Sequence, residues 1–193
     1  MKKFLLSISL LVIVVFANAQ SIEGVSLKNV NTGKNEAASA IIGSSTTVII
    51  FIDNECPYVN SYQARIKKFS AEALASGYNM IFINPHEEKK PNENSLALMK
   101  KFMSTSLWKG TLYSDSKQQL VEVLGATKLP EVFIVKSNGN SLKILYKGAF
   151  DDNPQNASQV KTQYATDALK AIEEKSQPQK SQMMAMGCRI KKF

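Results

Sequence analysis

The stretch TTVIIFIDNECPYVNSYQARI, residues 46–66, constrains the fold of this chain more than any other. Five consecutive apolar residues, Val48–Ile52, suit a strand covered on both faces better than one with a wet face. Apolar side chains then recur at Val59, Tyr62, Ile66, Phe69 and Ala73, a single stripe down a helix that ends near Gly77. Between the two patterns stands Cys56-Pro57. Proline suits an early helical position, because it has no N–H to lose and its φ is preset, so Cys56 falls at or near the helix N-cap. A strand-to-helix junction in an α/β sheet lies at the carboxyl edge of the sheet, where ligands bind.

The rest of the chain continues the alternation. NMIFINP, residues 79–85, is a second apolar strand stopped by Pro85, and the charged HEEKKPNEN that follows reads as loop. SLALMKKFMSTSL resumes a helical pattern through Leu96, Met99 and Met103. A short TLYSD strand precedes the helix SKQQLVEVLGA, which Gly125 closes as a left-handed cap. Two β-rich runs around Asn138-Gly139 form an antiparallel hairpin, and VKTQYATDALKAIEEK is a last helix. Residues 20–45 are polar and glycine-bearing, a peripheral hairpin or lead-in, and SQPQKSQMMAM near the end has no periodicity. The expectation is an α/β domain over residues 20–175, its central mixed sheet parallel in one part and antiparallel at an edge, with helices flanking it. A flexible C-terminal tail, residues 176–193, carries the second cysteine, Cys188.

Residues 1–19, MKKFLLSISLLVIVVFANA, begin with two lysines, continue through a largely apolar run and end in a small-x-small triplet, the form of a cleaved secretory signal. The apolar run is short for a span, which needs about 20 residues, so no stable membrane span is expected after cleavage. Loss of Lys2 and Lys3 lowers the formal charge from +8 to +6. That charge is interleaved with acids and Arg65 and Arg189 are the only arginines, which argues for solvated surface and against nucleic acid. Export to a periplasmic or extracellular space makes a Cys56–Cys188 disulfide open to the chain.

ECPYVNSYQARI, INP, GATKLPEVFIV, YKGAFDDN and the terminal GCRIKKF, in that order, resemble secreted thioredoxin-like proteins of the redoxin type, related to the alkyl hydroperoxide reductase and thiol-specific antioxidant group. The resemblance covers roughly Ser26 to Phe193 and implies a thioredoxin-like fold with an N-terminal extension. It also implies that the Leu129-Pro130 bond is cis and lies beside Cys56. Pro57, Tyr58, Leu129, Pro130 and Glu131 are then the expected substrate-binding positions. Glu131 faces the site as a proton carrier or stands as a surface carboxylate. Relatives often carry a cysteine three residues before the Cys-Pro cysteine, and here that residue is Asp53. The local dithiol is missing, so its usual exchange cycle cannot run inside the motif.

What remains points to Cys56 as the redox nucleophile. A helix N-terminus favours the thiolate, whereas Asp53 and Glu55 oppose it if they lie near the sulfur. Cys188 is the resolving thiol, condensing with an oxidised Cys56, or the partner in a structural disulfide, or a free tail thiol. The expected activity is that of an exported thiol oxidoreductase acting on a hydroperoxide or a protein disulfide and recharged by a thiol reductant. No organic cofactor or metal is implied, because sulfur carries the chemistry. The alternative is a catalytically silent thioredoxin-fold module that binds polypeptide or is simply stapled by its two cysteines. His86, the only histidine, reads as a solvated loop residue, and Asp151 and Asp152 as residues that order the chain entering the final helix.

Overall fold

The computed structural model describes residues 20–192, so the expected signal segment lies outside the described residues. Three short strands come first: β1 (Gln20–Ser21), β2 (Ser26–Asn29) and β3 (Asn35–Ala37). β2 and β3 pair antiparallel, forming the peripheral hairpin, and the short helix α1 (Ala38–Ile42) leads on to β4 (Thr46–Phe51). Residues Val48 to Ile52 have no solvent exposure, as their uninterrupted apolar run requires. The expected helix after Cys56 comes in two pieces joined at Tyr62, α2 (Pro57–Ser61) and α3 (Gln63–Ala75), and its stripe of Val59, Ile66, Phe69 and Ala73 is buried.

β5 (Asn79–Asn84) lies parallel to β4, register Phe51↔Ile83, with the Ile52 amide donating to the Ile83 carbonyl at 2.8 Å. The segment read as loop contains one helical turn, α4 (Pro91–Asn94), because Pro91 can open a helix where its missing N–H costs nothing. α5 (Leu96–Ser106) follows, with Ser95 Oγ accepting from the Leu98 amide. Then come β6 (Thr111–Ser114), α6 (Gln119–Leu124) with Gly125 at φ 63 behind it, and the two-residue β7 (Lys128–Leu129). β8 (Glu131–Asn138) and β9 (Ser141–Gly148) form the antiparallel hairpin, and α7 (Tyr164–Glu173) packs against β9.

The main sheet runs β1-β9-β8-β4-β5-β6-β2-β3. Its centre, β4-β5-β6, is parallel, and β8 enters antiparallel beside β4. The carboxyl ends of β4, β5 and β6 therefore share one edge, and Cys56 stands there.

The segment from residue 176, expected as a flexible tail, is seated at two places. β10 (Gln182–Met183) adds in parallel to β9, and β11 (Cys188–Arg189) pairs antiparallel with β7. A Cβ on Gly148, whose φ is 130, would meet the Met183 carbonyl oxygen, so a glycine is needed where the tail crosses β9. Lack of periodicity did not mean lack of docking: two-residue strands are held by backbone bonds and leave no side-chain pattern.

Candidate functional site

Cys56 is the N-cap of α2 with Pro57 next to it, and it is 3% exposed. Its sulfur is bonded to that of Cys188, with the two Cα atoms 6.2 Å apart. The Leu129 carbonyl oxygen lies 3.3 Å from Cys56 Sγ, and the Leu129-Pro130 bond is cis. Leu129 and Pro130 are buried, Tyr58 is half-buried and Pro57 is exposed, so these expected substrate-binding residues differ in accessibility.

Glu131 is not a surface carboxylate. It is 3% exposed, and its Oε2 accepts from the amides of Thr127 at 2.7 Å and Lys128 at 3.0 Å. The carboxylate thus fixes the short strand β7 from behind, and β7 is what the tail binds. Cys188 pairs with Leu129, Arg189 pairs with Lys128, and the Ile190 amide donates to the Thr127 carbonyl at 3.0 Å. Ile190 is 8% exposed and joins the hydrophobic core, which anchors the tail one turn of strand beyond the disulfide.

The residue at the position of the missing cysteine has a different role. Asp53 is buried, and its Oδ2 lies 2.5 Å from His86 Nδ1. Oδ1 accepts from the Glu55 amide at 2.8 Å, and Lys90 Nζ stands 3.7 Å from Oδ2. Burial opposes ionisation of Asp53, but the His86 N–H, the Glu55 amide and the Lys90 ammonium outweigh it and hold the carboxyl below its ordinary value. A carboxyl lowered on folding stabilises the protein at neutral pH, and that contribution is lost as the pH falls through its folded value. Its charge is balanced by these partners, so it does not stand as an open anion against Cys56.

His86 corrects the expectation of a solvated loop residue: it is 1% exposed. The His86 amide donates to Asn84 Oδ1, and the far ring nitrogen, Nε2, accepts from the Lys191 amide of the tail at 3.1 Å. Gln118 completes the seat, its Nε2 donating to the carbonyls of Pro85 and of Lys191. The parallel pairing of β4 and β5 places the residues that follow them, Asp53 and Pro85-His86, side by side. That neighbourhood was open to inference from the two apolar runs. The role of Gln118 was not, because it requires the path of the tail.

Behind the site, Asp151 is buried and accepts from Tyr62 Oη at 2.9 Å and Arg65 Nη1 at 2.6 Å. The Arg65 guanidinium lies 3.7 Å from the Tyr62 ring centroid. Burial, with the Asp151 charge, pushes the Tyr62 hydroxyl well above its ordinary value, so it stays a neutral donor. Asp152 accepts from the Lys161 and Thr162 amides and orders the approach to α7, as expected. Asp151→Ala leaves the Tyr62 hydroxyl without its acceptor and Arg65 without its counter-charge, Arg65 keeping only the carbonyls of Ser61, Asn153 and Pro154; we expect it to lower the unfolding free energy by about 3 kcal/mol, read as a lower urea midpoint. A loss under about 0.5 kcal/mol would mean that the pair is solvated and weak.

Among the described residues no group of three or more His, Cys, Asp or Glu side chains could hold a metal ion. No helix among them is long and apolar enough to cross a membrane.

Residues 19–141 match the AhpC/TSA family. The chain belongs to that family. The fold is thioredoxin-like, with a mixed sheet flanked by helices. Among solved structures, an uncharacterized conserved protein from Geobacillus kaustophilus is 26% identical, with 91% of this chain and 89% of that one covered at a TM-score of 0.74. A hypothetical protein from Sinorhizobium meliloti 1021 is 21% identical, with 91% and 94% covered and a TM-score of 0.75. A putative thiol:disulfide interchange protein DsbE from Chlorobium tepidum is 17% identical over 67% of this chain and 82% of its own, at a TM-score of 0.50. None of the curated proteins matches the chain. Family membership accounts for the thioredoxin-like core; the seated tail and the Asp53–His86 pair are read from this chain's own residues.

Proposed function

We propose that this chain is an exported thiol oxidoreductase in which Cys56 is the redox nucleophile and Cys188 its resolving partner. The observation that carries the reading is the Cys56–Cys188 disulfide at the carboxyl edge of the sheet, formed by a tail that docks on β7 through backbone pairing. A staple needs only the bond. A resolving cysteine needs a segment that can leave and return, and a two-residue strand on a terminal tail meets that need.

With a hydroperoxide, the Cys56 thiolate attacks the terminal oxygen, an S–O bond forms as the O–O bond breaks, and the leaving alkoxide takes a proton from solvent to depart as the alcohol, leaving a sulfenic acid at Cys56. The Cys188 thiol then condenses with it, releasing water and closing the disulfide. With a protein disulfide, Cys56 attacks one sulfur, the other leaves as a thiolate, and Cys188 resolves the mixed disulfide. Either cycle ends in the oxidised form described above, and an external dithiol restores it. Export is supported by the signal-like residues 1–19 together with a disulfide, which persists outside the reducing cytosol.

The deep burial of Cys56 favours the second reading, a silent module stapled by its two cysteines. The two readings separate on the reduced chain from Gln20 onward, given stoichiometric hydrogen peroxide or a small protein disulfide and followed by sulfenic-acid trapping and mass spectrometry. We expect Cys188→Ser to trap a sulfenic acid at Cys56, or a mixed disulfide there, while the parent chain closes Cys56–Cys188. Reaction with the disulfide alone would retire the peroxidase cycle. If Cys56 reacts with neither faster than a free thiol, the module is silent.

A further inference from the structure

Outside the two cysteines, the buried side chains seen to hydrogen-bond the tail among the described residues are His86 and Gln118, and Asp53 holds His86 from the other side of its ring. We propose that His86, held by Asp53, is a positioning residue that seats the Cys188 tail, and that it does so only as the neutral imidazole, so that protonation of the ring unlatches the tail. The proposal rests on the thiol oxidoreductase reading for its purpose, but its geometry stands independently.

The hydrogen bonds assign the ring. Asp53 is a carboxylate and can only accept, so Nδ1 carries the proton. The Lys191 amide can only donate, so Nε2 offers its lone pair. This is the neutral tautomer, and it has no spare acceptor. A proton added at Nε2 would point an N–H at the Lys191 N–H, replacing a hydrogen bond with two opposed donors in a site where His86 is 1% exposed. The seated tail therefore excludes the imidazolium, whereas a chain with the tail lifted leaves Nε2 free to take the proton. Lowering the pH therefore shifts the balance toward the lifted tail, and with it toward the reduced dithiol.

The charged groups around the ring do not supply an alternative switch. Lys90 approaches the same Asp53 oxygen, Oδ2, that His86 Nδ1 binds, and Glu93 holds Lys90 at 2.8 Å. Glu87, the next residue on the loop, is bound to Lys28 and Ser114. From the tail, Lys191 and Arg189 expose their side chains to solvent. Burial pushes Asp115, ahead of α6, up to about 6 in spite of the amides of Val121 and Gln119, but it faces those amides and not the tail. Its contribution is common to all variants of residue 86.

The test compares the Cys56–Cys188 equilibrium with a dithiothreitol buffer between pH 5 and 8 in the chain from Gln20 onward, by thiol trapping and mass spectrometry. Reduction by the dithiol yields two protein thiols and the cyclic disulfide of the buffer, so thiol titrations cancel in the ratio of wild type to variant. His86→Gln keeps an acceptor at the Nε2 position and cannot be protonated. Lys191→Pro removes the amide donor together with an exposed cationic side chain, and it lies beyond the last strand of the tail. We expect wild type to become about five- to tenfold easier to reduce than His86→Gln as the pH falls from 7.5 to 5, the scale of one hydrogen bond. Lys191→Pro loses the same pH step. A ratio flat with pH, or a step that survives in Lys191→Pro, overturns the latch, as does a purified protein with no Cys56–Cys188 disulfide. A clear step in a protein whose Cys56 turns over neither peroxide nor disulfide overturns the oxidoreductase reading and leaves the latch standing.

Discussion

Gly187→Ala is expected to leave Cys56 and Cys188 unpaired under conditions that fully oxidise the wild-type pair. A Cβ at residue 187 would lie 2.1 Å from the Leu129 carbonyl oxygen and 2.7 Å from its carbon, where ordinary contact begins at 3.4 Å. Both are backbone atoms of β7, which Glu131 pins through the amides of Thr127 and Lys128, so the strand has little freedom to retreat. The tail must move instead, and the next residue along it is Cys188. Shifting that residue takes it out of register with Leu129 and away from the 6.2 Å Cα separation that the bond uses. Overpacking and disulfide distortion each cost a few kcal/mol, so the disulfide population in a dithiol buffer should fall by about a hundredfold. Met186→Ala, at an exposed neighbouring side chain, should change nothing. Full oxidation of Gly187→Ala at the wild-type buffer ratio would show that the tail can seat without the close approach.

Cys188→Ser should lower the unfolding free energy by about 4–5 kcal/mol relative to the oxidised chain, the chain-entropy value for a closed loop of this size. The cross-link spans 132 residues, nearly the whole domain, so it removes much of the freedom of the unfolded ensemble. Serine retains the backbone pairing of β11 with β7 and the Lys191 bond to His86, which isolates connectivity from docking. Urea unfolding of oxidised wild type, reduced wild type and Cys188→Ser decides it: the last two should coincide and lie well below the first. A difference under about 1 kcal/mol between oxidised and reduced chains would mean that strain in the native state cancels the constraint.

Much of the fold was legible from periodicity, and the reason is visible in particular elements. Val48–Ile52 is an unbroken apolar run and became the fully buried central strand; the stripe from Val59 to Ala73 became the inner face of α2 and α3. The Asn138-Gly139 turn signal marked the β8–β9 hairpin. Cys56-Pro57 announced its place at a helix N-terminus through the chemistry of proline alone. Where periodicity is silent, the reading failed. His86 lies in a charged, turn-rich segment, and polarity suggested exposure; burial was bought there by partners far apart in sequence, Asp53 and Lys191. Glu131 looked like a surface carboxylate because its acceptors' work, holding two backbone amides, has no sequence signature.

The amino-acid sequence by itself determined the order of strands and helices, the position of one thiol at the sheet's carboxyl edge, and the absence of a second cysteine at residue 53. These are local properties, set by spacing of apolar side chains and by single residues with preset backbone preferences. Only the tertiary structure decided that the tail comes back to that thiol, that Gly187 passes close against the Leu129 backbone, and that Asp53, having no sulfur to offer, orients the imidazole that holds the tail down. Those contacts join segments that are remote in the chain through backbone bonds, which carry no side-chain pattern and form only once the central sheet has brought the ends of β4 and β5 together.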